Sequence, residues 1–423
     1  MTLKTLHLTN AYHPTSGGIR TFYRALLAEA EAQERPMRLV VPGPRNEVEP
    51  VGRYGRIYVV EARPAFAFDR RYRLIMPPAY LRPSRSALVR ILVDEQPDLV
   101  EICDKYTLFY LAALIRKGFV PGVGRPTLVG LSCERMDDNV AAYISGAPAA
   151  RAFARWYIRH MYGPPFDFHI ANSAYTAEEL RQCLWDRDED FVHVCPMGVD
   201  TSRFSPALRD AAWREALLAR AGGAPDSVLL FYAGRLSPEK NVTLLVDTLA
   251  ALAARDAGRD YRLVLAGDGP LMDALRADAA ARAPGRLYCL GAVTDPAVLA
   301  RSYASADVFL HPNPREPFGI GPLEAMASGV PVVLPAAGGV LSYATPDNAW
   351  LAAPDGSAFA EAVHEAVSAP RAGRRAAALA TAKASSWPEA TRRFFTLYDR
   401  LHRHARVATA RAEAGWITSR AVQ

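Results

Sequence analysis

Short runs of leucine and β-branched residues alternate along this chain with longer segments in which apolar residues recur every three or four positions. Buried strands of a parallel sheet are apolar throughout, and the crossovers joining them are amphipathic helices, so the alternation predicts βαβ units. In the first half it predicts strands near Thr5 to Thr9, Arg38 to Val41, Ile57 to Val60, Leu99 to Ile102, Thr127 to Leu131, Phe168 to Ala171 and Val192 to Cys195. Helices fall between most of them, as at Ile19 to Ala32 and Thr176 to Trp185.

Pro196-Met197-Gly198-Val199-Asp200 interrupts the pattern with a proline and a glycine, and a domain hinge is placed there. The alternation then resumes, with strands near Val228 to Tyr232, Arg262 to Ala266, Leu287 to Leu290, Val308 to Leu310 and Val330 to Val333. A final helical pattern, about Pro388 to Arg406, carries Phe394, Phe395, Leu397, Tyr398 and Leu401 and needs an apolar surface to cover. The reading is an α/β protein with two Rossmann-like, doubly wound domains facing across a cleft. Residues 1–197 form the first domain and 198–385 the second, with 386–423 a final helix, which the family resemblance described below implies crosses back to the first domain, plus a tail. Open α/β sheets bind ligands at the carboxyl ends of their strands, so the cleft is the expected active site.

Composition adds constraints. Half of the 423 residues are apolar and 22% are charged, as in a globular protein. No apolar run reaches the roughly 20 residues of a membrane span. The opening segment MTLKTLHLTN alternates like a strand and lacks the apolar stretch of a signal peptide, which predicts a cytoplasmic protein. Cys103, Cys133, Cys183, Cys195 and Cys289 are scattered, with no C-x-x-C pair or zinc-ligand spacing, and read as reduced thiols. Residues 51–90 hold nine Arg against two acids, and residues 371–423 hold eleven Arg or Lys against three. Such patches are solvated faces or contacts to an anionic membrane or acidic acceptor. No nucleic-acid reading motif accompanies them.

The chemistry-bearing signal is Glu316-Pro317-Phe318-Gly319-Ile320-Gly321-Pro322-Leu323-Glu324, running on to Gly329 and following the strand that ends in Leu310-His311-Pro312-Asn313. Phe318-Gly319-Ile320-Gly321 reads as a turn into a helix whose first amides are free to bind an anion. Glu316 lies before that helix and Glu324 about one turn inside it. An ionised carboxylate only accepts hydrogen bonds, so the two suit hydroxyl pairs on a sugar and a ribose. In Gly234-Arg235-Leu236-Ser237-Pro238-Glu239-Lys240-Asn241, Ser237 suits an N-cap and Pro238 the first helical position. Arg235 and Lys240 add cations that neutralise a diphosphate without a metal. Gly267-Asp268-Gly269-Pro270 reads either as a nucleotide-lining turn or as an ordinary strand-to-helix turn. Gly17-Gly18 permits close approach to a phosphate or makes a tight turn. Asp186-Arg187-Asp188-Glu189-Asp190 contains a D-x-D but reads as a solvated acidic loop.

The stretch from Glu316 to Glu324 resembles the E-x7-E motif of the retaining glycosyltransferases of the GT-B fold, the large family 4 that includes bacterial mannosyl- and glucosyltransferases. The likeness spans nearly the whole chain. Tyr12-His13-Pro14 with Gly17-Gly18-Ile19 resembles the family's N-terminal glycine loop, and Pro196 to Asp200 with Phe204 its interdomain hinge. Gly234 to Asn241 and Gly267 to Pro270 resemble its two donor-domain turns, and Trp387 opens what resembles its final helix. The resemblance implies a UDP or GDP sugar as donor, no metal or other cofactor, and a saccharide or lipid-linked acceptor. It gives Arg235, Lys240 and Glu316 catalytic roles, and donor-binding roles to Gly17, Gly18, Gly234, Gly267, Gly269, Phe318, Gly319, Ile320 and Glu324. Many family members place a His after the strand corresponding to Thr127 to Leu131. Here Leu131-Ser132-Cys133-Glu134 stands there, leaving Cys133 or Glu134 for the acceptor side.

The expected reaction moves a sugar from a nucleoside diphosphate to a hydroxyl with retention, in glycan, polysaccharide or glycolipid synthesis. The rivals are a glycoside hydrolase using Glu316 and Glu324, and a nucleotide-sugar-binding protein without catalysis. A dehydrogenase is disfavoured because no G-x-G-x-x-G follows the first strand. Finally, Phe66, Phe68, Ile75, Met76 and Leu81 interleave with Arg63, Arg70, Arg71, Arg73, Arg82 and Arg85, the pattern of a segment docking on the inner membrane face or of a basic loop.

Overall fold

A computed structural model describes residues 2–13, 17–65, 72–82, 86–144, 146–255, 258–369 and 372–421. The chain forms two compact units, Met1–Cys195 with Ala390–Gln423, and Pro196–Glu389.

The first unit holds β1 (Thr5–Thr9), β2 (Met37–Gly43), β3 (Glu47–Val51), β4 (Gly55–Glu61), β5 (Arg63–Pro64), β6 (Arg73–Leu74), β7 (Leu99–Cys103), β8 (Thr127–Ser132), β9 (Phe168–Ala171) and β10 (Val192–Val194). Its main sheet has the order β10-β9-β8-β7-β1-β2-β4-β3, and β5 pairs separately with β6. Every pair in the main sheet is parallel except β3 with β4. The chain winds outward in both directions from β1, so the strand order reverses between β1 and β7.

One edge strand departs from the hydrophobic pattern. Strand β3 is almost wholly exposed, carries Pro50 and two glutamates, and shows no apolar face. Of the Arg-rich segment read as either a membrane-docking segment or a basic loop, Phe66, Phe68, Arg70, Arg71 and Arg85 lie outside the described residues, as does Pro14 of the glycine loop. Ile75 belongs to the core of the first unit at 1% exposure, so it is not available to a bilayer. Its amide donates to Asn10 Oδ1. Arg73 is tied to the Ala62 carbonyl at 2.7 Å.

The helix Trp387–Ala421 starts in the second unit and continues into the first. Phe394, Phe395, Leu397, Tyr398 and Leu401 are buried, and the Phe394 ring lies 4.8 Å from Phe22 of the helix Gly18–Ala32. Burial of a side chain such as Phe394 or Leu401 contributes roughly 1.5–3 kcal/mol. Below them sits a buried polar knot. Glu101 on β7 accepts from the hydroxyls of Tyr23 (2.9 Å) and Tyr398, and lies 2.9 Å from His7 Nδ1 on β1. The Arg35 guanidinium meets Asp399 at 2.9 Å. Among the described residues no helix is long and apolar enough to cross a membrane.

The second unit contains β11 (Val228–Ala233), β12 (Tyr261–Ala266), β13 (Leu287–Gly291), β14 (Val308–Leu310), β15 (Val332–Pro335) and β16 (Trp350–Ala352). They form one parallel sheet in the order β13-β12-β11-β14-β15-β16. Here the order reverses between β11 and β14, so the loops leaving these neighbouring strands diverge and open a crevice between them. The segment at Val199 bridges to Ser386, and the Trp387 amide donates to the Val199 carbonyl at 3.0 Å. The two places where the chain changes units therefore run side by side.

Candidate active site

The loop after β11 begins at Gly234 and the loop after β14 at His311. The first is held by hydrogen bonds rather than by a helix. The Tyr232 hydroxyl donates to the Arg235 carbonyl at 3.1 Å, and the Leu236 amide to Asp268 of the next loop at 3.0 Å. Pro238–Lys240 is a single 3-10 turn, and the long helix starts only at Thr243. Between them Asn241 is left-handed, with φ 51°, and its Nδ2 donates to the Pro312 carbonyl at 3.0 Å. That bond ties the first loop to the second. Ser237 does not cap a helix as expected. Its hydroxyl donates to Glu239 Oε1 at 2.5 Å, because the turn closes before a helical amide comes within reach.

This arrangement brings Lys240 to Glu316. Its ammonium Nζ donates to both carboxylate oxygens, at 2.9 and 3.1 Å, and Asn313 Nδ2 donates to Oε2 at 3.1 Å. His311 Nε2 stands 3.4 Å from the same oxygen. Burial alone would raise the Glu316 carboxyl, but Lys240 and His311 outweigh it and hold the group well below the usual carboxylate range. Glu316 is thus a fixed anion. Arg235 is half-exposed, 3.8 Å from Glu239.

Gly319 turns the chain from this loop into the helix Ile320–Ala327 with φ 85°, a conformation that a side chain would strain. Its carbonyl accepts from the Tyr343 hydroxyl at 2.6 Å. Among the described residues no side chain caps the helix, and its first amides, at Ile320 and Gly321, have no intrahelical acceptor. Phe318 is 3% exposed and edge-on to Tyr343, so it shapes the turn and offers no face to a ligand. Ile320 is half-buried beside it. On the same helix Glu324 meets the Tyr303 hydroxyl and faces Arg203 and Asp200. Burial pushes its carboxyl up to about 7, against the opposing effects of Tyr303 and Arg203. The two glutamates are thereby separated in protonation, one locked as an anion and one poised near neutrality.

The glycines of the third loop have a backbone reason. A side chain on Gly267 would come within 1.8 Å of the Gly234 carbonyl oxygen, and one on Gly269 within 2.3 Å of that of Leu236. They let two loops press together, so close packing accounts for both without a ligand.

The remaining sequence candidates lie in the first unit. Gly17 precedes the helix Gly18–Ala32 without a side-chain cap. Cys133 Sγ sits 3.9 Å from Cys103 Sγ, and this contact, with burial, pushes the Cys133 thiol well up and makes it a poor nucleophile. The backbone carbonyl of Glu134 accepts from the buried Lys105 ammonium at 2.6 Å, while its carboxylate accepts from Asn139 at 2.8 Å. Burial raises that carboxyl too. Asp186 of the D-x-D pairs with Arg159 at 3.2 Å.

His311, Asn313, Asn241, Tyr303 and Tyr343 were not singled out from the sequence as site residues. For His311 and Asn313 the available signal was their polarity just beyond a short central strand. The others act across 21 or more residues of chain separation and leave no local pattern.

Each sheet reverses its strand order once, and the second unit sets a cation and an anion beside a helix end at its reversal point. Residues 16–203 match the family model described as Glycosyltransferase Family 4, and residues 227–369 the one described as Glycosyl transferases group 1. The chain is 33% identical over 389 residues to a Mycobacterium tuberculosis protein named GDP-mannose-dependent alpha-(1-6)-phosphatidylinositol dimannoside mannosyltransferase, covering 92% of this chain and 94% of the relative. It is 37% identical over 191 residues to a Nocardia farcinica D-inositol 3-phosphate glycosyltransferase, covering 43% and 40%. Among solved structures, the sucrose-phosphate synthase of Thermosynechococcus elongatus superposes with a TM-score of 0.70 at 18% identity, covering 94% of this chain and 99% of that one. Anabaena HepE, solved with UDP and glucose, gives 0.68 at 17% identity, covering 94% and 100%. The chain belongs to glycosyltransferase family 4.

Proposed function

We propose that this enzyme transfers a hexose from a nucleoside diphosphate sugar to an acceptor hydroxyl with retention of configuration, and that the second unit holds the donor without a metal. The observation that carries the reading is the Lys240–Glu316 pair at the reversal point between β11 and β14, beside the uncapped helix Ile320–Ala327. The chemical burden is the negative charge that grows on the leaving diphosphate. Lys240, Arg235 and the first amides of that helix stabilise it, at up to ~3–4 kcal/mol for a well-placed donor. Glu316, always ionised, accepts hydrogen bonds from sugar hydroxyls, and Glu324 from the ribose.

The relative that spans nearly the whole chain is named for GDP-mannose and a phosphatidylinositol dimannoside acceptor. This supports GDP-mannose as donor and a lipid-linked glycan as acceptor. In a thermal-shift series with GDP-mannose, UDP-glucose and ADP-glucose, GDP-mannose gives the largest rise. A ligand at 100 times its dissociation constant adds about 2.7 kcal/mol of stability, which such a scan resolves. A larger shift with UDP-glucose reassigns the base. Absence of any shift, with no release of nucleoside diphosphate in the presence of acceptor, removes the reading.

A further inference from the structure

The strand order of the first sheet reverses between β1 and β7, and hydrogen bonds hold the two loops that leave these strands. Asn10, just past β1, donates from Nδ2 to Oδ2 of Asp104, just past β7, at 3.0 Å. Asp104 Oδ1 accepts from the amides of Tyr106 at 3.0 Å and Leu108 at 2.9 Å, which fixes the backbone carrying Tyr106. Lys105 turns inward. It is 2% exposed, and its ammonium donates to Glu179 at 2.8 Å and to the Glu134 carbonyl at 2.6 Å, pinning the loop after β8 to the loop after β7. Tyr106 turns outward and is 42% exposed.

The Tyr106 ring is held by its hydroxyl edge. That hydroxyl accepts from Asn139 Nδ2 at 3.0 Å and donates to the Glu134 carboxylate, and the same Asn139 Nδ2 donates to Glu134 Oε2 at 2.8 Å. Among the described residues no other ring and no guanidinium packs on the Tyr106 face. One side of a pyranose is a row of C–H bonds that can lie against such a face, while its hydroxyls donate to a carboxylate. Asn139 and Tyr106 take part of the roughly four acceptor sites of the Glu134 carboxylate and leave room for ligand hydroxyls. Charge narrows the class of ring. Lys105 spends its ammonium inside the fold and Arg135 pairs with Asp137 at 2.6 Å, so the Glu134 anion repels a phosphorylated group and admits a neutral one.

We propose that Tyr106 and Glu134 hold a neutral sugar ring of the acceptor at the reversal point of the first sheet, its apolar side on the Tyr106 face and its hydroxyls on the Glu134 carboxylate. The inference deepens the reading above by naming the end of the acceptor as an unphosphorylated glycoside, and rests on that reading for the reaction alone. The contact itself follows from the aromatic face, the carboxylate beside it and the hydrogen bonds that fix both before any ligand arrives.

The test is saturation-transfer NMR on the full chain, with GDP present and methyl α-mannopyranoside as the probe. In wild type the ring protons of the probe receive saturation from the protein. Tyr106→Leu, apolar but without a flat face, weakens binding of the probe about tenfold, and Tyr106→Trp restores it. Both variants keep the wild-type rise in melting temperature with GDP-mannose. Should Tyr106→Leu not fold, Glu134→Gln supplies the comparison, with a loss of about tenfold from weakened hydroxyl bonds. Four results overturn the proposal: no saturation of the probe in wild type, equal saturation in wild type and Tyr106→Leu, stronger saturation of myo-inositol 1-phosphate than of the neutral glycoside, or loss of the GDP-mannose effect in a folded Tyr106→Leu. If the probe is not saturated while GDP-mannose still stabilises wild type, the sugar contact falls and the glycosyltransferase reading stands. If the probe binds through Tyr106 but GDP-mannose, UDP-glucose and ADP-glucose neither stabilise the protein nor are consumed, the reverse is true.

Discussion

Lys240 Nζ lies 2.9 Å from Glu316 Oε2, so the cation proposed for the diphosphate and the anion proposed for the sugar form an ion pair with each other. A donor that brings its own phosphates and hydroxyls can engage both without leaving either charge unpaired. Removing one partner leaves the other buried alone. Lys240→Ala is therefore expected to lower turnover at saturating donor by ~100-fold and to destabilise the fold by about 1–3 kcal/mol. Steady-state kinetics and urea unfolding measure the two effects. Wild-type turnover would take Lys240 out of the mechanism.

The pair also fixes a pH dependence. Lys240 holds Glu316 below the ordinary 4.5, so its contribution to stability is complete above that value and lost as pH falls below it. In Glu316→Gln the acid limb of the stability profile is shallower than in wild type. Identical acid limbs would show that the pair does not couple to folding.

Glu324 behaves in the opposite sense. With its carboxyl raised to about 7 from 4.5, ionisation costs the folded state stability as pH rises between those values. Ribose hydroxyls donating to the ionised carboxylate offset that cost. Donor affinity is expected to increase from about pH 6 to about pH 8, and the Glu324→Gln variant to bind about tenfold more weakly with a flat profile. Calorimetric titration at several pH values decides it, a wild-type profile as flat as the variant's being the adverse result.

If basic side chains and helix amides meet the diphosphate as proposed, activity is expected to survive EDTA. Asp186→Ala with Asp188→Ala should leave turnover unchanged, since Asp186 is engaged with Arg159. Loss of turnover on chelation, restored by magnesium or manganese, would overturn metal independence.

The knot at Glu101 makes a prediction about stability. Tyr398→Phe removes one of two phenol donors from a buried carboxylate and is expected to cost about 1–3 kcal/mol, with no change in donor affinity. Unfolding midpoints of wild type and variant measure it, and equal midpoints would show that the contact does not secure the helix.

The central strands were legible because they are buried on both faces. Thr5–Thr9, Phe168–Ala171 and Val308–Leu310 stand where the apolar runs put them. Strand β3 was not, because an exposed edge has no such run, and β16 is only three residues long. At the site, Glu316, Lys240 and Gly319 could be read from motif and turn chemistry. That Lys240 spends its charge on Glu316 could not, for the two are 76 residues apart and meet only once β11 and β14 lie side by side. Ser237 shows the complementary failure, since its local pattern favours a cap while Asn241 and Pro312 dictate a turn.

Residues 390–421 complete a unit whose other members are all among the first 195, while the second unit is continuous from Pro196 to Glu389. During synthesis the second unit can close as soon as it has left the ribosome, whereas the first must wait with the surface around Phe22 and Tyr23 uncovered until Phe394 and Tyr398 emerge. The usual amino-to-carboxyl order of domain completion is thereby inverted. A chain truncated after residue 389 is expected to carry a protease-resistant second unit and a protease-sensitive first one, and equal resistance of the two would refute that order.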